Sequence, residues 1–128
     1  MVEIEGKVSN TSISILIDLD ACWSYVSPKT IDVCKLNKVK HDKITLVQLA
    51  TGTKRKVSKI VKDCEVNLNG FPTRINLNIL PIGSYDILIG MGWLEKHHVM
   101  LDCLHKSILF IDNQGNQVKI KAFQIKFL

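Results

Sequence analysis

Two acids two residues apart, Asp18 and Asp20, follow directly on the apolar run Ile15-Leu16-Ile17, within the stretch Ile13 to Ser27. Asp is seldom set against a core unless a partner offsets its desolvation or the carboxylate has chemistry to perform. Taken alone, Asp18 at the end of a buried strand reads first as a paired structural carboxylate and second as a working acid or base. A divalent cation held by Asp18 and Asp20 is a third option, since hard cations take oxygen ligands, but two such acids are weak grounds for one. His97, His98, Cys103 and His105 form the only local cluster of potential ligands, and their spacing fits no zinc pattern. They are read as helix-end and strand residues, so neither a metal nor a cofactor is expected.

A chain of 128 residues fits one domain, 1–128, with a real core. Apolar content of 46% and charged content of 23% are ordinary for a globular protein. No run is long enough to span a bilayer, and the N-terminus lacks a basic-then-apolar signal segment. The expectation is a soluble intracellular protein, or a piece cut from a larger one, with no membrane partner. Cys22, Cys34, Cys64 and Cys103 are scattered without a Cys-x-x-Cys pair, which in a cytosolic setting reads as free thiols. The formal charge of +5 is carried partly by Lys35, Lys38, Lys40 and Lys43, and partly by Lys54, Arg55, Lys56, Lys59 and Lys62. With 6% aromatics and no recognition helix or stacking motif, this pattern argues against a nucleic-acid partner and for a solvated basic face.

The elements that must position Asp18 are mostly strands. Val2 to Val8 alternates apolar and charged residues, Ser9-Asn10-Thr11 turns, and Thr11 to Ile17 resumes, giving an opening hairpin. Ser27-Pro28 reads as an N-cap followed by proline at the first helical position, opening a short helix through Cys34. Asn37 to Asp42 reads as an exposed polar stretch. Ile44 to Leu49 and Lys54 to Val61 form a second hairpin around Ala50-Thr51-Gly52-Thr53, and Lys62 to Leu68 continues as strand. Asn69-Gly70 turns the chain into Phe71 to Ile79. Ile87 to Ile89 is a second apolar triplet, followed by Gly90-Met91-Gly92 and a short helix from Trp93 to His98. Val99 to Leu101, Ser107 to Ile111 and Gln117 to Phe127 complete the strands. The class is all-β, a closed or partly closed barrel with one or two short helices. A triplet, tight turn and short helix occur once near Asp18 and once near Gly90, an internal echo.

Two stretches together resemble the paired signatures of retropepsins, the single-domain aspartic proteases of retroviruses and gypsy-class long-terminal-repeat retrotransposons. The first is Asp18-Leu19-Asp20-Ala21 with Ser24-Tyr25-Val26-Ser27 behind it, where the family has an apolar strand ending in Asp-Ser/Thr-Gly-Ala and then an apolar-Ser pair. The second is Tyr85-Asp86-Ile87-Leu88-Ile89-Gly90 before Trp93-Leu94, which follows the family pattern of Tyr-Asp, three apolar residues and Gly. The pair, in order and suitably separated, is far more specific than either motif alone. The likeness runs from Val2 to the hairpin at Gly115. It implies a closed barrel built as a pseudo-twofold single domain.

The resemblance also implies roles. Asp18 would be the catalytic residue, facing the Asp18 of a second copy across a homodimer axis. Two carboxylates about 3 Å apart share a proton, so one acts as base on a water while the other donates to the peptide carbonyl. Leu49, Ala50, Thr51, Gly52 and Thr53 would form the flap over a bound peptide. Ile87, Leu88, Ile89 and Gly90 would cross behind the active loop. The implied substrate is the element's own polyprotein, in the cytoplasm or within a virus-like particle.

Departures surround the acid. Leu19 stands where a hydroxyl would hydrogen-bond across the dimer, an interaction whose loss costs about 1–3 kcal/mol. Asp20 stands where Gly allows close backbone approach, and in a dimer it places two further carboxylates beside the first two. Cys22 and Trp23 replace small polar residues, and Gly92 falls where gypsy-type sequences often carry Asp. The first reading is an aspartic endopeptidase, weakened or silenced by Leu19-Asp20. The alternative is a catalytically dead pseudoprotease kept as a dimerisation or peptide-binding module.

Overall fold

The computed structural model describes residues 2–48, 54–122 and 124–125. The expected flap residues Leu49, Ala50, Thr51, Gly52 and Thr53 lie outside the described residues. In chain order the elements are β1 (Val2–Val8), β2 (Thr11–Ile17), β3 (Tyr25–Val26), α1 (Pro28–Cys34), β4 (Val39–Gln48), β5 (Lys54–Leu68), β6 (Phe71–Ile79), β7 (Ile87–Ile89), α2 (Met91–Lys96), β8 (Met100–Asp102), β9 (Ser107–Ile111), β10 (Gln117–Lys121) and β11 (Gln124–Ile125).

One eight-stranded sheet runs in the order β11-β1-β2-β7-β3-β6-β5-β4, and β10-β9-β8 form a second sheet. The all-β class with two short helices is as expected. The pseudo-twofold is visible in the topology, because an axis between the antiparallel pair β3 and β7 exchanges the two halves. It carries hairpin β1-β2 onto hairpin β5-β6, the parallel pair β2-β7 onto the parallel pair β6-β3, and α1 onto α2. The echo lies differently from its reading in the sequence. The triplets Ile15-Leu16-Ile17 and Ile87-Leu88-Ile89 are direct parallel neighbours, in register residue for residue, and the counterpart of β7 is the two-residue β3.

The expected closed barrel is not formed. β1 meets β5 through a single pair, Lys7 opposite Asn67, and β4 and β11 are the outermost strands. At that crossing Gly6 has no room for a side chain, since a Cβ would strike the Asn67 carbonyl oxygen and the Ile15 side chain. The strands therefore cross closely at one point instead of running alongside each other.

Alternation explains β1, whose Val2, Ile4 and Val8 are buried between exposed Glu5 and Lys7. They join Ile15, Ile17, Val66, Leu68, Leu77, Ile87, Ile89 and Phe110 in one core. α1 starts as its sequence predicts: Ser27 Oγ accepts from the Thr30 N–H at 3.2 Å, Pro28 occupies the first turn, and Lys35 closes the helix in a left-handed conformation. α2 begins two residues earlier than expected, because the Met91 and Gly92 N–H groups are taken by carbonyls of the Asp18 loop and Gly90 becomes the cap. The last expected strand is split. β10 ends at Lys121, buried Ala122 donates its N–H to the Lys106 carbonyl, and β11 crosses to β1.

All four cysteines are free thiols. Cys34 and Cys64 are buried, whereas Cys22 and Cys103 are exposed. Burial, with Cys34 and Glu65 nearby, pushes the Cys64 thiol up to about 11. Because that lies above the ordinary thiol value of 9.0, the unfolded chain deprotonates first, so stability is full below about pH 9 and falls as pH rises toward 11. Denaturation midpoints from pH 8 to 11 should show this decline, and Cys64→Ala should flatten it. Alkylation at pH 8 followed by peptide mass spectrometry should mark Cys22 and Cys103 and spare Cys34 and Cys64 until the fold is lost. Equal labelling of all four would contradict this arrangement.

Candidate active site

The parallel pairing of β2 and β7 places Asp18 one residue beyond the last paired position, Ile17 opposite Ile89, and the Asp18 N–H continues the ladder to the Ile89 carbonyl at 3.0 Å. Asp18 is thus half-buried at the edge of a core it does not enter. The chain then folds back on itself. The Asp20 N–H donates to Asp18 Oδ1 at 2.9 Å, and the Ala21 N–H to the Asp18 carbonyl at 3.3 Å. A carboxylate held by a backbone donor keeps one orientation without depending on a neighbouring side chain.

The two sequence signatures interlock. Met91 N–H donates to the Ala21 carbonyl at 2.7 Å, Gly92 N–H to the Cys22 carbonyl at 3.3 Å, and Gly90 N–H to the buried Ser24 Oγ at 3.1 Å. Gly90 is buried against this loop so tightly that a Cβ would overlap the carbonyl oxygens of Trp23 and Ala21. Backbone cannot yield as a flexible side chain can. Gly90→Ala should therefore destabilise the fold by about 3 kcal/mol, at the upper end for overpacking, and displace the Asp18 loop. Thermal unfolding checks this, and a midpoint within 2 °C of wild type, on the order of 0.5 kcal/mol, would contradict it.

Asp18 lines an open groove of about 690 Å³. Its floor comes from Asp20 to Trp23 and Tyr25, one wall from Leu80 to Gly83 with Leu88, and its upper side from Leu46 to Gln48 at the end of β4. Tyr25, Val57 and Leu80 form a small buried cluster beneath it, with Val47, Ile82 and Leu88 against them. Burial, and secondarily Cys22, push the Tyr25 phenol above its ordinary range, keeping it a neutral hydrogen-bonding group. The groove is thus a mostly apolar channel with carboxylates at one end.

The residues around Asp18 are placed as follows. Leu19 is 52% exposed and Trp23 60% exposed, both large apolar groups left facing outward beside the acid. Asp20 is exposed and Ala21 half-buried, while Ile87 and Ile89 are core and Leu88 turns to the groove. Neither Leu19 nor Asp20 has a positive φ. Asp20 therefore adopts this turn without the backbone strain that would demand glycine. The bulk expected to disturb the loop points outward instead.

A second acid organises the site without lining the groove. Asp86 Oδ2 accepts from the Ser14 N–H at 2.9 Å and Oγ at 3.3 Å, and its Oδ1 accepts from Thr30 Oγ at 2.8 Å. Its backbone pairs on both sides, accepting from the Ser27 N–H and donating to the Ser14 carbonyl. One side chain thus ties β2 to the start of α1 just ahead of β7. The Tyr85-Asp86 motif by itself assigns Asp86 no role. The available signal was an acid immediately before a fully apolar strand. Two histidines of the sequence cluster are structurally engaged: His97 Nδ1 lies 3.1 Å from the Trp93 carbonyl and its ring stacks on Trp93, while His105 pairs with Asp102 at 2.8 Å. Hydrogen bonds from His105 hold the Asp102 carboxyl below its usual range. Among the described residues no three His, Cys, Asp or Glu side chains gather as a metal site.

The sequence profile described as retroviral aspartyl protease matches residues 2–116. The chain belongs to the retroviral aspartyl protease family. Two proteins named Protein DDI1 homolog 1, from Rattus norvegicus and from Mus musculus, are each 25% identical to it over 117 residues, which is 91% of this chain. The chain spans 28% of the length of each of these relatives. The crystal structure of the retroviral protease-like domain of Ddi1 from Leishmania major superposes with a TM-score of 0.70 at 18% identity, covering 97% of this chain and 94% of that one. At that identity the likeness concerns the fold alone, which is the retropepsin-like fold. Among the described residues no helix is long and apolar enough to cross a membrane.

Proposed function

We propose that the chain is an aspartic endopeptidase domain, active as a homodimer in which Asp18 of each copy supplies half of the catalytic pair. The observation that carries this reading is the placement of Asp18. It ends a buried strand, is oriented by the Asp20 N–H, and lines an open, mostly apolar groove. One carboxylate cannot both activate water and protonate a carbonyl, and the fold offers no second acid within its own groove except Asp20, on the same loop. A second copy related by a twofold axis supplies the missing partner, and proton sharing between the two acids follows from their proximity. The segment 49–53 then acts as the flap, and the substrate is a polyprotein, that of a retroelement from which the domain derives, processed in the cytoplasm or in a virus-like particle.

Leu19 favours a second reading, a pseudoprotease that dimerises or binds peptides without cutting them. It cannot make the cross-dimer hydroxyl bond, and its exposed side chain suits an apolar contact between copies. Peptide cleavage at mildly acidic pH separates the two. Wild type should cut, and Asp20→Gly should cut faster, because it removes a like charge from the loop that carries the pair. Cleavage by Asp20→Gly alone would mean a decayed enzyme, and cleavage by neither would remove the endopeptidase reading.

A further inference from the structure

The positive charge of this chain is segregated. Residues 35–62 hold nine of the seventeen Lys and Arg against one acid, Asp42, a balance of +8, while the remaining eight cations and eleven acids leave the rest at −3. Seven of those cations lie on β4 and β5, which also carry Asp42, Asp63 and Glu65 for a balance of +4, while Lys35 caps α1 and Lys38 precedes β4. Lys40 and Lys59 are direct cross-strand partners, like charges opposite each other, an arrangement that weakens a sheet unless an anion lies against it. Lys54, Arg55, Lys56, Lys59 and Lys62 are all exposed. Among the described residues the one ion pair is His105 with Asp102, so no described carboxylate pairs with any of these cations.

None of them lines the Asp18 groove. The row instead continues along β5 to Lys62, which with Lys7 and Lys35 borders a separate hollow of about 510 Å³ that also holds Asn10, Asn37 and one acid, Glu65. Strand alternation puts Lys54 and Lys56 on the face turned away from the domain, while Arg55 and Lys59 flank Val57, which is buried against Tyr25 and Leu80. Same-face neighbours are about 6.7 Å apart. We infer that the β4-β5 hairpin is a binding surface for the phosphate backbone of a nucleic acid. A duplex presents evenly spaced phosphates along its groove edge, and the exposed cations of the ribbon lie along such a row. A regular polyanion fits this regular row better than an acidic peptide does. The described part of the hairpin offers no aromatic side chain for stacking, so the contact is with the backbone and independent of base sequence.

Fluorescence anisotropy with a fluorescein-labelled 20-base-pair duplex tests this. With about five phosphates neutralised, log K should fall with log salt at a slope of about −4.5, a loss on the order of 500-fold between 50 and 200 mM salt. Lys56→Glu/Lys59→Glu should weaken binding more than about tenfold and flatten the slope by about 2, whereas Lys96→Glu/Lys119→Glu, on other elements, should change it less than about twofold. Lys40→Gln, which relieves the like-charge pair, should raise the melting temperature without nucleic acid and still weaken binding. Asp18→Asn should bind like wild type, so failure here is independent of the endopeptidase reading. A flat salt dependence, equal loss in both double variants, or displacement of the duplex by poly-glutamate at equal charge concentration would overturn the assignment, the last in favour of an acidic protein.

Discussion

Asp18→Asn keeps its fold and loses peptide cleavage by about 10³-fold or more. The magnitude follows from what the carboxylate is asked to do. A positioned acid or base contributes roughly 10²–10⁴-fold, and in a symmetric pair one substitution removes both halves because every dimer carries it twice. An amide can accept the Asp20 N–H that Oδ1 now accepts at 2.9 Å, so the loop keeps its shape. It cannot take a proton from water. Circular dichroism and the unfolding midpoint should match wild type while turnover of a peptide at mildly acidic pH disappears. If cleavage persists in Asp18→Asn, the activity belongs to another residue or a contaminant.

Asp86→Ala acts in the opposite way, on the fold first. Removing the carboxylate leaves the Ser14 N–H and the Thr30 hydroxyl without their acceptor in a partly buried place where water replaces it poorly. Hydrogen bonds to a charged group are worth about 1.5–3 kcal/mol each, so the loss is about 3–5 kcal/mol. Against a total of about 5–15 kcal/mol for a domain, that is roughly a fifth of the stability or more. The midpoint should drop by roughly 10–20 °C. Asp86→Asn, which preserves one acceptor oxygen, should lose about half as much. Urea denaturation of the three proteins checks the order, and an Asp86→Ala variant within 1 kcal/mol of wild type would show that the tie is replaced by water.

What could be read in the residues was whatever is written locally. The apolar triplets Ile15-Leu16-Ile17 and Ile87-Leu88-Ile89, the Ser27-Pro28 helix start and the Asn69-Gly70 turn all appear where pattern and turn chemistry put them. Partnership between distant segments was not legible. Nothing in either triplet says that the two lie side by side in parallel, or that Met91 and Gly92 spend their N–H groups on the Asp18 loop and so move the start of α2. β3 is two residues long, too short for any periodicity, yet it lies on the pseudo-twofold axis. Strand spacing alone allows a closed or partly closed barrel, whereas β1 and β5 meet at a single pair beside Gly6 and the barrel does not close. For the site, the motif points to Asp18, and residue type alone does not tell that Asp20 takes its turn without the positive φ that would call for glycine. Asp86 was in plain view and lacked only its partners, which are 72 and 56 residues away in sequence.

The proposed pair of acids exists only if two copies meet, so specific activity against protein concentration, paired with sedimentation equilibrium over the same range, is the most direct test. Cleavage per milligram should climb with concentration and level off as the sedimenting mass doubles from 14.4 kDa. Constant specific activity across a range in which only the 14.4 kDa species sediments would contradict a catalytic centre shared between two chains.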